Sequence, residues 1–177
     1  HLKEEILDDD ELLAEIISTA DSIVKSLKAG HKLVICGNGG SEADSLHFAG
    51  EIVGRFQKER SPWPAVVLGA DPATLTAIAN DYGYEKTFAR QAKAFVQDGD
   101  VFIGISTSGN SQNIVNAIEE IRDVMCTTVG LLGKDGGFIR NLVNHAIVVP
   151  DDVTARIQES HITIIHVICE LIEEKMH

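Results

Sequence analysis

Lys32-Leu33-Val34-Ile35-Cys36-Gly37-Asn38-Gly39-Gly40-Ser41 decides how this chain folds. An apolar run stops abruptly at a glycine-rich turn. From Ser41 and Asp44 onward the residues take up helical spacing to about Val53, with Gly54 after it. Strand, tight turn and helix start, in that order, make a geometry that collects an anion on backbone N–H groups. One turn along the helix, His47 and Glu51 stand four residues apart and project from one face.

Upstream, Asp8-Asp9-Asp10-Glu11 suits a helix N-terminus, and Leu12, Leu13, Ile16, Ile17, Ala20, Ile23, Val24 and Leu27 recur at helical spacing until Ala29-Gly30. Residues 1–30 therefore read as an N-terminal helical segment. Downstream, Arg55 to Pro64 is a polar, proline-bearing loop, with Trp63 packing it, and Ala65 to Leu68 a short strand. Asp71-Pro72 opens a helix over about 72–79, and Asn80 to Tyr84 reads as a turn. A helix over 85–96 leads to the strand Val101-Phe102-Ile103-Gly104-Ile105. That strand ends in a second polar turn, Ser106-Thr107-Ser108-Gly109-Asn110-Ser111. A helix over about 112–122, a strand over 126–132, the turn 133–137, a short helix and a strand over 146–149 follow. A last helix spans about 153–176.

Five near-continuous apolar strands alternating with helices predict a single α/β domain over 1–177. It is a three-layer αβα sandwich on a five-stranded parallel sheet, flavodoxin-like in plan. In such sheets ligands collect beyond the carboxyl ends of the strands. Both polar turns, 37–41 and 106–111, stand there.

The formal net charge of −12 excludes the basic surface that nucleic acid requires, and it leaves any phosphorylated substrate to be held by local donors. Cys36, Cys126 and Cys169 are odd in number, far apart and each in an apolar run, which predicts free thiols in a reducing compartment. No stretch near 18 residues is apolar and uncharged, so a soluble, cytoplasmic protein with no membrane partner is expected.

Gly37-Asn38-Gly39-Gly40-Ser41 matches neither the dinucleotide fingerprint nor the Walker A pattern. The 106–111 turn is more specific: four hydroxyls, a glycine and a helix N-terminus make a cradle for a phosphate monoester without Lys or Arg. A plain N-capping segment is the simpler alternative. The spacing of His47 and Glu51 suits either a pair of metal ligands or a base beside its partner. The last helix is apolar nearly all round, which predicts burial, even between subunits. It carries Gln158, His161 and His166. Gln158 and His166 lie eight residues apart and reach one site, while His161 lies at a different angle. Each histidine alone also fits a core position bonded to backbone. Asn80-Asp81 suits substrate hydroxyls or a turn cap, Arg55 an anion or solvent, and Lys134 to Gly137 a turn. Asp21, Asp123 and the carboxylates of 170–174 read as solvated helix faces.

Together, CGNGGSEADSLHFAGE (36–51), Asn80-Asp81 within AIANDYGYE, GISTSGNS (104–111), GKDGG (133–137) and TARIQESHITIIH (154–166) resemble the sugar isomerase (SIS) domains. Within these, they are most similar to the phosphoheptose isomerases. The resemblance implies an aldose–ketose isomerase converting sedoheptulose 7-phosphate to D-glycero-D-manno-heptose 7-phosphate, the first step towards activated heptose for surface polysaccharide such as lipopolysaccharide or capsule. It implies a homotetramer with active sites between subunits, and one zinc ion per subunit on His47, Glu51, Gln158 and His166. It assigns Glu51 and His166 to acid–base catalysis. It assigns Asn38, Gly39, Gly40, Ser41, Glu51, Arg55, Asn80, Asp81, Ser106, Thr107, Ser108, Ser111 and Gln158 to substrate. Against that family the chain starts late, shortening a leading helix, and His31 and Glu42 stand where small residues are common. A non-catalytic phosphosugar-binding or DnaA-associating protein of the same fold is the alternative; it would not need both Glu51 and His166.

Overall fold

A computed structural model describes residues 1–177. The helices are α1 (Leu2–Leu7), α2 (Asp10–Lys28), α3 (Gly40–Val53), α4 (Pro72–Tyr82), α5 (Thr87–Phe95), α6 (Gln112–Glu120) and α7 (Thr154–Met176). The strands are β1 (Leu33–Gly37), β2 (Ala65–Val67), β3 (Val101–Ser106), β4 (Thr127–Gly133) and β5 (His145–Val149). All pairings are parallel and the order is β2-β1-β3-β4-β5. This is the expected flavodoxin-like sheet.

Between β1 and β3 the order reverses, and a crevice opens at such a switch point beyond the strand ends. The register pairs Gly37 with Ile105, so the two polar turns leave the sheet side by side. Every residue of β1 and β3 is buried, as central strands covered on both faces must be. Leu33, Ile35, Ile103, Ile105 and Leu131 pack with α2, α3 and α7, whereas Val34, Cys36, Phe102 and Leu132 pack with α5 and α6. Alternate side chains of one strand thus fill two cores, giving the three layers.

Several boundaries differ from expectation. A short helix, α1, precedes the amphipathic one, and Asp9 caps α2 by accepting from Leu12 N–H at 2.9 Å. α4 runs on through Asn80 and Asp81 to Tyr82, so this pair lies in a last helical turn instead of a loop. Only Gly83, at φ 90°, stops it. α7 buries one side only: Ile157, Ile164, Ile165 and Ile168 are buried, while Val167 is 42% exposed. All three cysteines are free, with Cys36 and Cys169 buried.

Glu173 overturns the reading of 170–174 as a solvated face. It is 2% exposed and accepts from the N–H groups of Phe56, Gln57 and Lys58 and from Arg60 Nε at 3.0 Å. Arg60 continues the clamp, donating Nη1 to Ile52 O and Nη2 to Glu51 O, with its guanidinium 3.5 Å from the Trp63 ring centroid. A carboxylate on α7 thereby ties down the loop after α3 and the last turn of α3. A second tie joins α2 to β5: His145 Nδ1–H donates to Glu15 Oε1, and Ser22 Oγ donates to His145 Nε2, both at 2.9 Å.

Burial pushes the Glu173 pKa up, but the N–H groups of Lys58, Gln57 and Phe56 and the Arg60 guanidinium outweigh it and hold the carboxyl down to about 2. A depressed carboxylate stabilises the fold fully above its unfolded value, near 4.5, and loses that contribution as pH falls towards 2. Glu173→Gln leaves Arg60 buried without its counter-charge. It is expected to cost about 3–5 kcal/mol at pH 7 in urea unfolding. The gap between variant and wild type should narrow from pH 4.5 down to 2; a gap independent of pH would contradict this role for Glu173.

Candidate active site

α3 begins where β1 ends, so the turn 37–41 sets the direction of the helix. Gly37 is obligatory there, because a side chain would collide with the Ser41 carbonyl. Ser41 is buried at 4% exposure, and its carbonyl accepts from Ser45 Oγ. The turn therefore folds back on the first helical residues and launches α3 away from the sheet. One turn on, His47 Nε2–H donates to Glu51 Oε1 at 3.0 Å. α7 arrives from the end of the chain and places His166 Nε2 3.2 Å from His47 Nε2. Phe56 backs the His166 ring, its centroid 5.5 Å away.

His47, Glu51 and His166 thus bring one donor atom each within 4.8 Å of one another. Only one proton fits between the two Nε2 atoms, so the cluster either shares protons or holds a metal ion. Gln158 lies at a different point of the site. Its side-chain amide rests on Gly40, where any larger residue would displace it. It therefore flanks the glycine turn. His161, the third polar residue of α7, belongs to the core. Its Nε2–H donates to Leu132 O at 2.8 Å, and burial pulls its pKa down to about 4.

At the end of β3, Ser106 Oγ lies 2.8 Å from Ser111 Oγ and 3.4 Å from Ser108 Oγ. Ser111 is the N-cap residue of α6 yet makes no side-chain cap, so its hydroxyl stays with the serine cluster. Free N–H groups of a helix start beside clustered hydroxyls are an arrangement that can receive an anion. Gly109, at φ 66°, abuts the carbonyl of Gly136, and a side chain there would collide with it. Phe138 N–H donates to Asn110 Oδ1 and Ile139 N–H to Gly109 O, so the turn 133–137 buttresses the cradle.

Other expected residues are not drawn in. Asn80 Nδ2 donates to Asp81 Oδ1 and both are exposed. Arg55 is exposed and pairs with Glu59 at 3.5 Å. The sequence reading missed three groups. Arg60 touches the backbone of Glu51 itself. Asn113, 3% exposed, exchanges amide hydrogen bonds with Asn38. Glu42 accepts from Gly37 N–H at 3.3 Å while its Oε1 is buried without a partner. No local pattern marks the first two. An acid in the first turn after a glycine turn is a signal, but it reads as a helix-dipole partner.

The family model of the SIS domain matches residues 4–133. A phosphoheptose isomerase of Nitratiruptor is 50% identical over 98% of this chain and 97% of its own length. One of Trichlorobacter lovleyi is 51% identical over 93% of this chain and 84% of its own. The solved phosphoheptose isomerase of Francisella tularensis superposes with a TM-score of 0.92 at 37% identity, covering 98% of this chain and 91% of that one.

Burial raises the Glu42 pKa to about 7, the Gly37 N–H opposing it only in part. A carboxyl raised in this way favours the fold below its unfolded value of 4.5, and that contribution is lost as pH rises through 7. Glu42→Gln keeps the neutral shape. It should match wild type near pH 4.5 and exceed it at pH 8 by on the order of 1 kcal/mol in urea unfolding, the figure reduced for partial exposure. Equal stability at pH 8 would show the carboxylate to be well solvated.

Proposed function

Since the chain belongs to the SIS domain family and, within it, to the phosphoheptose isomerases, we propose that it interconverts sedoheptulose 7-phosphate and D-glycero-D-manno-heptose 7-phosphate. The observation that carries this reading is the meeting of His47, Glu51 and His166 in a fold that also places a hydroxyl-lined cradle at the adjoining strand end. A phosphosugar-binding regulator needs the cradle but not the acid–base cluster.

The reaction moves a hydrogen between C1 and C2 through an enediol. The phosphate sits on Ser106, Thr107, Ser108 and Ser111 at the start of α6. The sugar chain runs along Asn38, Gly39, Gly40, Ser41 and Gln158 towards the cluster. Glu51 takes the proton from C1 of the ketose, the C1–H pair forms the C1–C2 double bond, and the carbonyl electrons move to O2. His166 protonates O2 and takes the proton from O1; Glu51 then returns its proton to C2. No proton is gained or lost overall. Arg60, bonded to the Glu51 carbonyl, keeps the carboxylate's helix turn in place. Arg55, Asn80 and Asp81 contribute only if the subunits or the substrate bring them in.

The cluster fits zinc. Donors about 2.0–2.1 Å from a tetrahedral zinc stand roughly 3.3 Å apart. Those here stand 3.2 Å (His47 to His166) and 3.0 Å (His47 to Glu51) apart, with the Glu51–His166 pair within 4.8 Å. His47, Glu51 and His166 would hold the ion, while Gln158, expected as a fourth ligand, rests against Gly40 instead; when bound, the ion would supply Lewis-acid polarisation of the substrate carbonyl. Exposed apolar side chains support a homotetramer with its sites between subunits. Leu7 (67%), Ile17 (46%) and Val167 (42%) border α1, α2 and α7, and Leu46 (48%) and Val53 (44%) lie on α3 itself. The free thiols fit a reducing cytoplasm, and no helix is long and apolar enough to cross a membrane. The product belongs ahead of activated heptose for surface polysaccharide.

Purified protein in deuterium oxide should isomerise sedoheptulose 7-phosphate and incorporate solvent deuterium. Glu51→Gln should lower kcat by about 10²–10⁴-fold with an unchanged thermal midpoint. Absence of turnover with and without Zn²⁺, together with capture of a protein partner, would favour the regulator. Elemental analysis should find about one zinc per chain, and His47→Ala should lose most of it, a three-ligand metal site being the basis.

A further inference from the structure

We propose that Tyr84, Thr87 and Asn113 lock the side-chain amide of Asn38 in one orientation, so that a substrate meets it only as an N–H donor. Asn38 stands in the turn at the end of β1, and its amide is almost fully engaged by protein. Asn38 Oδ1 accepts from Tyr84 Oη at 2.8 Å and from Asn113 Nδ2 at 2.9 Å. Asn38 Nδ2 donates one hydrogen to Asn113 Oδ1 at 2.9 Å. Both lone pairs of the carbonyl oxygen are taken, and one N–H is left over.

A reciprocal pair of amides is symmetric and would survive if both groups turned over together. Thr87 breaks that symmetry. Its hydroxyl donates to Tyr84 O at 2.7 Å, so it can only accept from Asn113, and Asn113 Nδ2 faces it at 3.5 Å. Turning both amides over would set the Asn113 oxygen against an oxygen with no hydrogen to give. Thr87 and Asn113 are buried at 0% and 3% exposure, so water cannot repair the mismatch. Thr87 therefore fixes Asn113, Asn113 fixes Asn38, and Tyr84 closes the last lone pair.

A fixed donor beside the glycine turn suits an oxygen that gains negative charge, such as the carbonyl oxygen of a ketose as it becomes an enediolate. It would meet an amino or deoxy group at that carbon poorly. Tyr84, Thr87 and Asn113 are positioning residues in this scheme. Asn113 also lies on α6, two residues beyond Ser111, so the phosphate cradle and the donor share one helix start.

The proposal rests on the isomerase reading, and two measurements separate their failures. Tyr84 is 54% exposed, so Tyr84→Phe should leave the thermal midpoint unchanged. It should lower kcat/KM for sedoheptulose 7-phosphate about 3–10-fold, chiefly in kcat, the effect of one hydrogen bond. In an Asn38→Ala background the same change should cost nothing further. Equal losses in both backgrounds, or no loss in either, would overturn the proposal. Independently of turnover, the ¹⁵N side-chain amide signals of Asn38 and Asn113, identified by their loss in Asn38→Ala and Asn113→Ala, should shift in Tyr84→Phe and Thr87→Val. Unmoved signals would also overturn it. A wild type inert towards the heptose phosphate, together with shifted signals in the two variants, would refute the isomerase reading and leave the locked amide standing.

Discussion

The Arg60–Glu173 pair is the interaction on which the site depends. His47 and Glu51 ride on α3 and His166 on α7, and nothing in either helix alone sets the distance between them. Glu173 lies two helical turns beyond His166 and collects three backbone N–H groups from the loop that leaves α3, plus the Arg60 guanidinium. Arg60 then reaches the carbonyls of Glu51 and Ile52. A buried ion pair stabilises only when its remaining hydrogen-bonding capacity is met. Here nearly all of it is met by backbone, so the pair fixes geometry as well as offsetting its own desolvation. An apolar pair of the same volume would fill the space but could not hold the Glu51 carbonyl.

The sheet makes the second half of the arrangement. Because β1 and β3 are neighbours in register, two turns far apart in sequence emerge together. One launches the helix carrying His47 and Glu51; the other, with its clustered serine hydroxyls, begins α6. Backbone packs on backbone at both, Gly37 against Ser41 and Gly109 against Gly136, leaving little room for either turn to shift. The distance between the two turns is thus set by strand spacing and by two tight backbone contacts.

What the sequence made legible follows from the range of the forces involved. Strands, helices and polar turns announce themselves through local periodicity, and the order of five apolar strands was enough for the layers. His47 and Glu51 were visible because a helix converts a spacing of four into a shared face. Glu173 and Arg60 were not. Each has the composition of a surface residue, and their partnership spans more than a hundred positions. Asn80-Asp81 was placed in a turn because two polar residues before Gly83 look like a stop, yet the helix runs on until the glycine itself. The expected burial of α7 on every side is unmet within one chain, where Val167 is left 42% exposed.

α7 shows how a single helix divides its labour. His161 and His166 are five residues apart, more than one turn but well short of two, so they face different surroundings. His161 meets the sheet, donates a hydrogen bond to Leu132 O and is held neutral by burial. His166 meets α3 and is only partly buried beside His47 and Glu51, with which it could hold a metal ion. The residue type is the same and the chemistry is opposite. What separates them is their offset around the axis of α7, and Glu173, farther along the same helix, ties α7 to the loop after α3. The place of His166 beside α3 therefore depends on a buried carboxylate two turns farther along α7.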